Sequence, residues 1–131
     1  MKPKHIEHIG FVITNPRAAA DWYLKNLGFT ILRKADDNSV AFIQETQSGL
    51  IFELIGNPDI HPIDMDLTHP LQVHIAIKSD NLVADRQRLV DAGALFVMDC
   101  QTSDPDARVC ILKDPFGLYL QLAQRRDDFY A

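Results

Sequence analysis

The sequence predicts an α+β fold made of two βαβββ modules. Short segments with alternating apolar residues are typical of strands, and two longer segments carry apolar residues at helical spacing. The order of these segments repeats along the chain, which indicates an internal duplication. Three residue pairs mark the repeat, at offsets of 66, 65 and 68 positions: His8 and His74, Gly28 and Gly93, Glu53 and Gln121.

The repeat also predicts how the chain is organised. Its 131 residues suit a single domain over residues 1–131. One module is expected at about residues 5–56 and the other at about residues 71–124. Residues 57–70 contain three prolines and no clear period, which predicts a linker, or a loop that covers a cleft.

Boundary signals mark the first predicted helix at both ends. Asn15 can cap its beginning, and Pro16 suits its first position because no amide hydrogen is needed there. Gly28 can supply the left-handed conformation that ends it.

The second helix is expected to begin at Ser79 or Asp80 and to end at Gly93. Apolar spacing predicts that its core-facing side holds four residues: Leu82, Val83, Leu89 and Val90.

Four strands each carry one residue of a metal-ligand type. His8 in HIGFVI and His74 in QVHIAI are expected near the middle of the first strand of each module. Glu53 in LIFELI and Gln121 in LYLQLA hold similar positions in the last strands. The opposite face of each strand is wholly apolar, as a sheet beneath a helix requires. The face with the polar residues is otherwise small or apolar, which predicts a cleft.

An ionised Glu53 in such a cleft would cost several kcal/mol unless water, a cation or a donor reaches it. Two imidazoles, a carboxylate and a carboxamide oxygen suit a divalent ion such as Zn, Ni, Fe or Mn. Simpler interpretations stay open. Both histidines can be hydrogen-bonded cleft residues, Glu53 can pair with Arg33 or Arg108, and Gln121 can be a plain pocket wall.

Composition excludes several classes of function. The net charge of −5 and a pI near 5.4 argue against a nucleic-acid partner. No apolar run approaches the roughly 20 residues that cross a bilayer. MKPKHIEHIG lacks the apolar region of a signal peptide, so the expected location is the cytoplasm. Cys100 and Cys110 are expected to be reduced, buried thiols.

Other polar and aromatic residues receive ordinary interpretations. His61 and His69 are expected to be solvated in the linker, and the four charged residues 125–128 are expected to form a solvated cluster. Five apolar or aromatic residues can line a pocket or belong to the core: Phe42, Met98, Cys110, Phe116 and Tyr119.

From about His5 to Gln124, the chain resembles the vicinal oxygen chelate superfamily. That superfamily includes glyoxalase I, bleomycin- and fosfomycin-resistance proteins, methylmalonyl-CoA epimerase and extradiol dioxygenases. The matching stretches are HIGFVITNPRAAADWYLKNLGF, LIFELIG, HIAIKSDNLVADRQRLVDAGA and LKDPFGLYLQL. The resemblance implies a partly open barrel of paired modules with helices outside, around a divalent metal. It also implies a homodimer. Its ligand positions fall on four residues: His8, Glu53, His74 and Gln121.

The implied function is a lyase or isomerase of glyoxalase type, acting on a small substrate with vicinal oxygens through an enediolate or alkoxide. Members with a metal usually have Glu where this chain has Gln121, so proton transfer is expected to fall to Glu53. That departure also favours an alternative, a metal-free protein that sequesters a small molecule, as bleomycin-resistance proteins do. The same departure argues against an extradiol dioxygenase, because the final strand of such an enzyme normally supplies the carboxylate ligand.

Overall fold

The computed structural model describes residues 1–127 and 129, and the chain divides into two compact units, residues 1–63 and residues 64–131. Each unit contains one open four-stranded sheet and one α-helix. In the part of the chain that the structure describes, no helix is long and apolar enough to cross a membrane.

The first unit has the order β1, α1, β2, β3, β4, and its strands lie in the order β1-β4-β3-β2. β1 pairs with β4 in parallel, and the other neighbours are antiparallel. The elements are β1 Ile9–Val12, α1 Pro16–Leu27, β2 Thr30–Lys34, β3 Val40–Gln44 and β4 Ile51–Ile55.

The second unit repeats this arrangement, with strand order β5-β8-β7-β6 and a parallel β5–β8 pair. A short 3-10 turn, Met65–Leu67, precedes it. Its elements are β5 Ile75–Lys78, α2 Leu82–Asp91, β6 Leu95–Cys100, β7 Arg108–Lys113 and β8 Tyr119–Gln124. The α+β class and the two βαβββ modules are therefore confirmed.

The repeat extends to an irregularity of the sheet. The pairing of β2 with β3 shifts between Ile31 and Arg33, and the pairing of β6 with β7 shifts between Phe96 and Met98. Both shifts occur in the strand that follows the helix, 65 positions apart. A bulge adds a residue to one strand and increases its twist, so both sheets are bent at the same place.

The two faces of the first sheet differ in burial. Along β3 and β4, buried residues alternate with half-buried ones. The buried set packs with α1 to form the core of this unit: Ala19, Tyr23, Ala41, Ile43, Phe52 and Leu54. The half-buried set includes Phe42 and Glu53 on the opposite face, as a cleft-lining face requires.

The ends of α1 confirm the sequence prediction. The Asn15 side chain accepts a hydrogen bond from the Ala18 amide at 3.1 Å, and Pro16 is the first helical residue. Gly28 has φ 70° and ends the helix. Only a residue without a Cβ adopts this left-handed conformation freely.

The predicted beginning of α2 was wrong by one or two positions. Asn81, rather than Ser79 or Asp80, caps the helix and accepts from the Ala84 amide at 3.1 Å. Ser79 is engaged elsewhere, because its amide donates to the Ala123 carbonyl of β8 and its hydroxyl donates to Asp85. α2 ends at Asp91, and Gly93 follows with φ 107°.

The predicted core face of α2 was half wrong. Leu82 and Leu89 are buried, but Val83 and Val90 are exposed. Each valine lies one position beyond a leucine, about 100° further round the helix, which turns it away from the sheet. The buried stripe of α2 is therefore narrow.

The first strand of each unit begins later than predicted. β1 starts at Ile9 and β5 at Ile75, so His8 and His74 each lie just before a strand rather than in its middle. Gln72 belongs to a turn, in which its side chain accepts from the His69 amide. This local hydrogen bond competes with the extended pairing that the alternation of QVHIAI predicts.

Candidate functional site

His8 and Glu53 contact each other in the first unit. The parallel register pairs Gly10 with Glu53, and His8 lies two positions before Gly10. The Nε2 atom of His8 is 3.1 Å from Oε2 of Glu53, and its Nδ1 atom is 2.9 Å from Oε1 of Glu7. The edge of the imidazole meets the Phe42 ring at a centroid distance of 6.0 Å. The sheet register thus brings two of the predicted site residues together.

The ion pairs of Glu53 bear on the interpretation that this carboxylate pairs with Arg33. Its side chain is 24% exposed, and its ion-pair partner among the described residues of the first unit is His8, not Arg33. Because a carboxylate only accepts, Nδ1 of a neutral imidazole donates to Glu7, and the lone pair of Nε2 then lies beside the Glu53 carboxylate.

His74 occupies the same register position in the second unit. Ala76 pairs with Gln121 in parallel, and His74 lies two positions before Ala76. The Nδ1 atom of His74 is 2.9 Å from the Pro70 carbonyl oxygen. Because a carbonyl only accepts, Nδ1 carries the hydrogen and the lone pair of a neutral ring lies on Nε2. This is the tautomer that histidine ligands of metals commonly adopt.

Gln121 is a largely buried residue whose carboxamide reaches the solvent-accessible space of a cavity. The residue is 9% exposed, and its side chain makes no hydrogen bond to another residue that the structure describes. It lines an open cavity of about 710 Å³ in the second unit. Most buried polar groups are hydrogen-bonded, so an amide without a protein partner at the wall of a cavity is available to water or a ligand.

Arg125 also lines this cavity, which the sequence alone did not indicate. Its neighbour Arg126 pairs with Asp106 at 3.3 Å. Asp128 lies outside the described residues. The prediction of one solvated cluster at residues 125–128 stays a prediction: Arg125 is half-buried at the open cavity, and Arg126 and Asp127 are exposed. The signal was β8 itself, because Arg125 directly follows the strand that carries Gln121.

The rest of the lining comes from the linker end, β6, β7 and the loop after β6. Its members are His69, Leu71, Met98, Asp99, Cys100, Gln101, Thr102, Ser103 and Val109. His69, which was expected to be solvated, thus also borders the cavity.

The 3-10 turn covers one end of the same sheet face. Met65 packs with Ile111 and Tyr119, and the Tyr119 hydroxyl donates to the Met65 carbonyl at 2.8 Å. Lys113 donates to the Asp66 carboxylate, and this hydrogen bond raises the pKa of the lysine. The end of the predicted linker is therefore an ordered strap, consistent with the alternative that it covers part of a cleft.

The two cysteines are free thiols in different settings. Cys110 is fully buried, while Cys100 is half-buried and lines the cavity. Burial is the main cause that raises the pKa of both thiols, and the Asp99 carboxylate raises it further. Thiols of this kind stay protonated at neutral pH and are poor nucleophiles.

Neither unit, over its described residues, gathers three His, Cys, Asp or Glu side chains in one place. The first unit supplies an imidazole and a carboxylate in contact. The second supplies an imidazole and a carboxamide at matching register positions.

This geometry agrees with a sequence comparison. The profile of the Glyoxalase/Bleomycin resistance protein/Dioxygenase superfamily matches residues 5–122. The chain belongs to this superfamily. A search of curated proteins found no match.

Solved structures with the same fold span different functions. A glyoxalase family protein from Bacillus cereus has a TM-score of 0.72 at 13% identity, with 95% of both chains covered. A fosfomycin resistance protein from Listeria monocytogenes, complexed with Mn(II) and sulfate, has a TM-score of 0.72 at 11% identity, with 95% of this chain and 92% of that chain covered. An antibiotic binding protein from Streptomyces has a TM-score of 0.58 at 19% identity, with 94% and 99% covered. At these identities the likeness shows the fold alone.

Proposed function

We propose that the chain is a metal-dependent lyase or isomerase of glyoxalase type that acts on a small molecule with neighbouring oxygens. The observation that carries the proposal is the 3.1 Å contact between His8 Nε2 and Glu53 Oε2. Membership of a superfamily that includes glyoxalases and dioxygenases supports this class of function.

The separation of these two atoms fits a shared ion. Ligands at about 2.1 Å from one metal and at right angles to each other lie about 3.0 Å apart. The pair at 3.1 Å therefore needs little movement to accept a cation. A cation there would also balance two electron-rich groups that face each other, the lone pair of His8 Nε2 and the Glu53 carboxylate, while Nδ1 donates to Glu7.

His74 and Gln121 complete the proposed ligand set. The bond from His74 Nδ1 to Pro70 leaves Nε2 free to bind a metal. Gln121 offers an oxygen at the cavity that accepts no hydrogen bond from the residues that the structure describes. Two imidazoles with two oxygen donors suit Zn, Ni, Fe or Mn.

The proposed roles follow from what each side chain can do with a proton. When bound, a divalent ion would stabilise negative charge that develops on the substrate oxygens. Glu53 is the one carboxylate of the set, so it is the group that takes a proton from the substrate and returns it. Gln121 holds an oxygen donor in place but does not titrate.

Metal binding tests the ligand set directly. We expect purified protein to bind a divalent ion, and we expect His8→Ala, Glu53→Gln and His74→Ala each to weaken binding at least about tenfold. Binding should also weaken below about pH 6.5, where histidine side chains in general take up a proton. Elemental analysis and calorimetric titration measure the metal content and the affinity.

The matched control is His61→Ala, which removes an exposed histidine of the linker. Equal loss in the control, or no metal bound by the wild type, contradicts the proposal.

Turnover tests the reaction class. The isomerisation of a hemithioacetal of glutathione, followed by absorbance with each metal in turn, should be abolished by Glu53→Gln. Activity that survives this substitution would remove Glu53 from the proposed role.

One observation favours a second function, the sequestering of a small molecule without metal. The residue at the position of the usual glutamate is Gln121, and it faces a cavity of about 710 Å³, which is large enough for a drug-sized compound. An antibiotic binding protein has the same fold. Tight binding of a compound by chelator-treated protein that shows no turnover with any metal would support this alternative.

A further inference from the structure

We propose that the cavity of the second unit binds a small molecule that has an apolar body and an anionic group, and that Arg125 recognises the anion. The inference deepens the proposed function and rests on it in one respect, the orientation of substrate towards Gln121. It names a chemical class of ligand and a residue that selects it.

The lining of the cavity contains two residues with a permanent charge, Arg125 and Asp99. The Asp99 carboxylate is already paired with Arg86 at 3.6 Å, and its register partner is Cys110, on the helix side of the sheet. Arg125 has no carboxylate partner among the described residues, although its guanidinium lies 5.2 Å from the centre of the Phe129 ring. Over the residues that the structure describes, the cavity therefore presents one positive charge that has no carboxylate partner.

Several polar groups of the lining can donate hydrogen bonds to a ligand. The Nδ1 atom of His69 accepts from the Leu71 amide, so Nε2 of a neutral ring carries the hydrogen. Thr102 Oγ1 accepts from the Asp104 amide and keeps its own hydrogen to donate. The Gln121 amide has no partner among the described residues. These groups and the Arg125 guanidinium favour a ligand with several acceptor oxygens.

Part of the cavity wall is apolar and is formed by Leu71, Met98 and Val109. Two of these residues, Met98 and Val109, lie on the same sheet face as Gln121. Apolar walls around a few donors are typical of sites that bury a hydrophobic body and fix its orientation by one polar group. A carboxylate, sulfonate or phosphonate on an apolar scaffold has this chemistry, and a guanidinium matches it with paired donors.

The experiment compares two fluorescent probes of nearly equal shape. Anilinonaphthalene sulfonate carries an anionic group on an apolar body, and phenylnaphthylamine has the same rings without the sulfonate. Both are titrated into chelator-treated protein, so that metal binding plays no part and a failure here leaves the proposed metal site intact. We expect the sulfonate probe to bind more tightly than the neutral probe.

Two arginine variants of equal charge change test the role of Arg125. Arg125→Gln should weaken the sulfonate probe about five- to tenfold and leave the neutral probe unchanged, as expected for loss of one charged hydrogen bond at a partly exposed position. The matched control, Arg126→Gln, removes an exposed neighbour that pairs with Asp106, and it should change neither probe. A bulky Thr102→Trp at the mouth of the cavity should weaken both probes.

The results that would overturn the inference are equally specific. Equal weakening by Arg125→Gln and Arg126→Gln would show a general effect of net charge. A Thr102→Trp variant that binds both probes like the wild type would place the probes elsewhere. Equal affinity for the two probes, or no binding of the sulfonate probe, would remove the anionic group from the ligand class.

Discussion

Gln121 is the residue at which the two units differ most in chemistry. It occupies the register position that Glu53 holds in the first unit, yet Glu53 is about a quarter exposed and pairs with His8, whereas Gln121 is buried without a partner among the described residues. A charged group at the Gln121 position would lose part of its hydration on folding, with Arg125 as the one cation on the described lining of the cavity. A carboxamide avoids this cost when the cavity holds no cation.

This difference predicts the behaviour of Gln121→Glu. At neutral pH the metal-free variant should be less stable than the wild type by about 1 kcal/mol, because folding removes part of the water around the new carboxylate and Arg125, on the same cavity, offsets this only in part. The pKa of such a buried carboxyl is raised on folding, so the loss should be small at about pH 4 and should grow as the pH rises. A saturating divalent ion should restore part of the stability.

Urea unfolding at several pH values, with and without metal, measures these effects. The control is Gln101→Glu, which makes the same chemical change at an exposed position on the same cavity. If the two variants unfold alike at every pH, the side chain at position 121 is not shielded from water as the structure describes.

At the scale of the element, the beginning of α2 offers a clear test of a cap. Asn81→Ala should lower the free energy of unfolding by about 1 kcal/mol, because the Ala84 amide loses its side-chain acceptor. Asp80→Ala is the matched control and should change stability little, since Asp80 is exposed and its contact with Lys78 is 3.9 Å long. Chemical denaturation followed by circular dichroism distinguishes them. The reverse order of effects would restore Asp80 as the cap.

The strap formed by the 3-10 turn gives an element-scale pH dependence. Hydrogen bonding to Asp66 raises the pKa of Lys113 above its ordinary 10.5. A lysine whose folded pKa is raised contributes stability that is fully present below the unfolded value and is lost as the pH rises through the folded value. On the alkaline side of neutrality, the strap should therefore stay in place until the solution is strongly alkaline.

A variant without the carboxylate isolates this contribution. The stability difference between the wild type and Asp66→Asn should be constant up to about pH 9.5 and should shrink above about pH 10.5. Stopped-flow or equilibrium unfolding across this range measures it. A difference that stays constant to about pH 12 would show that the Lys113–Asp66 contact does not stabilise the folded chain.

The elements themselves were largely predictable from the sequence. Alternation, the Asn15 and Gly28 signals and the offsets between the halves predicted two βαβββ modules, and local chemistry is enough to define each of them. The errors have local causes. The beginning of α2 was misplaced because Asn81 lies next to two other good capping residues. β5 is shorter than predicted because the His69 amide donates to the Gln72 side chain in a turn, and alternation alone does not reveal such a turn.

The candidate site was predictable as residue types but not as contacts. The repeat singled out His8, Glu53, His74 and Gln121, and register explains why each pair lies at matching positions. The hydrogen bond of His74 to Pro70 and the cavity around Arg125 depend on how a loop and a chain end return to the sheet. Such contacts have no periodic signature in the sequence.

For the molecule as a whole, we expect association into a homodimer. Several large apolar side chains are exposed to water, among them Leu32, Leu95 and Phe96. Apolar surface of this kind is often covered by a second subunit. Sedimentation at micromolar concentration should give twice the chain mass of 14.8 kDa, about 30 kDa. A mass of one chain at every concentration would contradict this expectation.

The parallel pairing of β1 with β4 has a consequence for synthesis on the ribosome. Ile9 pairs with Phe52, so the amino-terminal strand has to wait until β4 has emerged from the exit tunnel. The antiparallel strands β2, β3 and β4 are neighbours in sequence and can associate first, because short loops close at low entropic cost. His8 therefore reaches Glu53 in the last step by which the first sheet is assembled, and a nascent chain stalled before residue 52 would lack that contact.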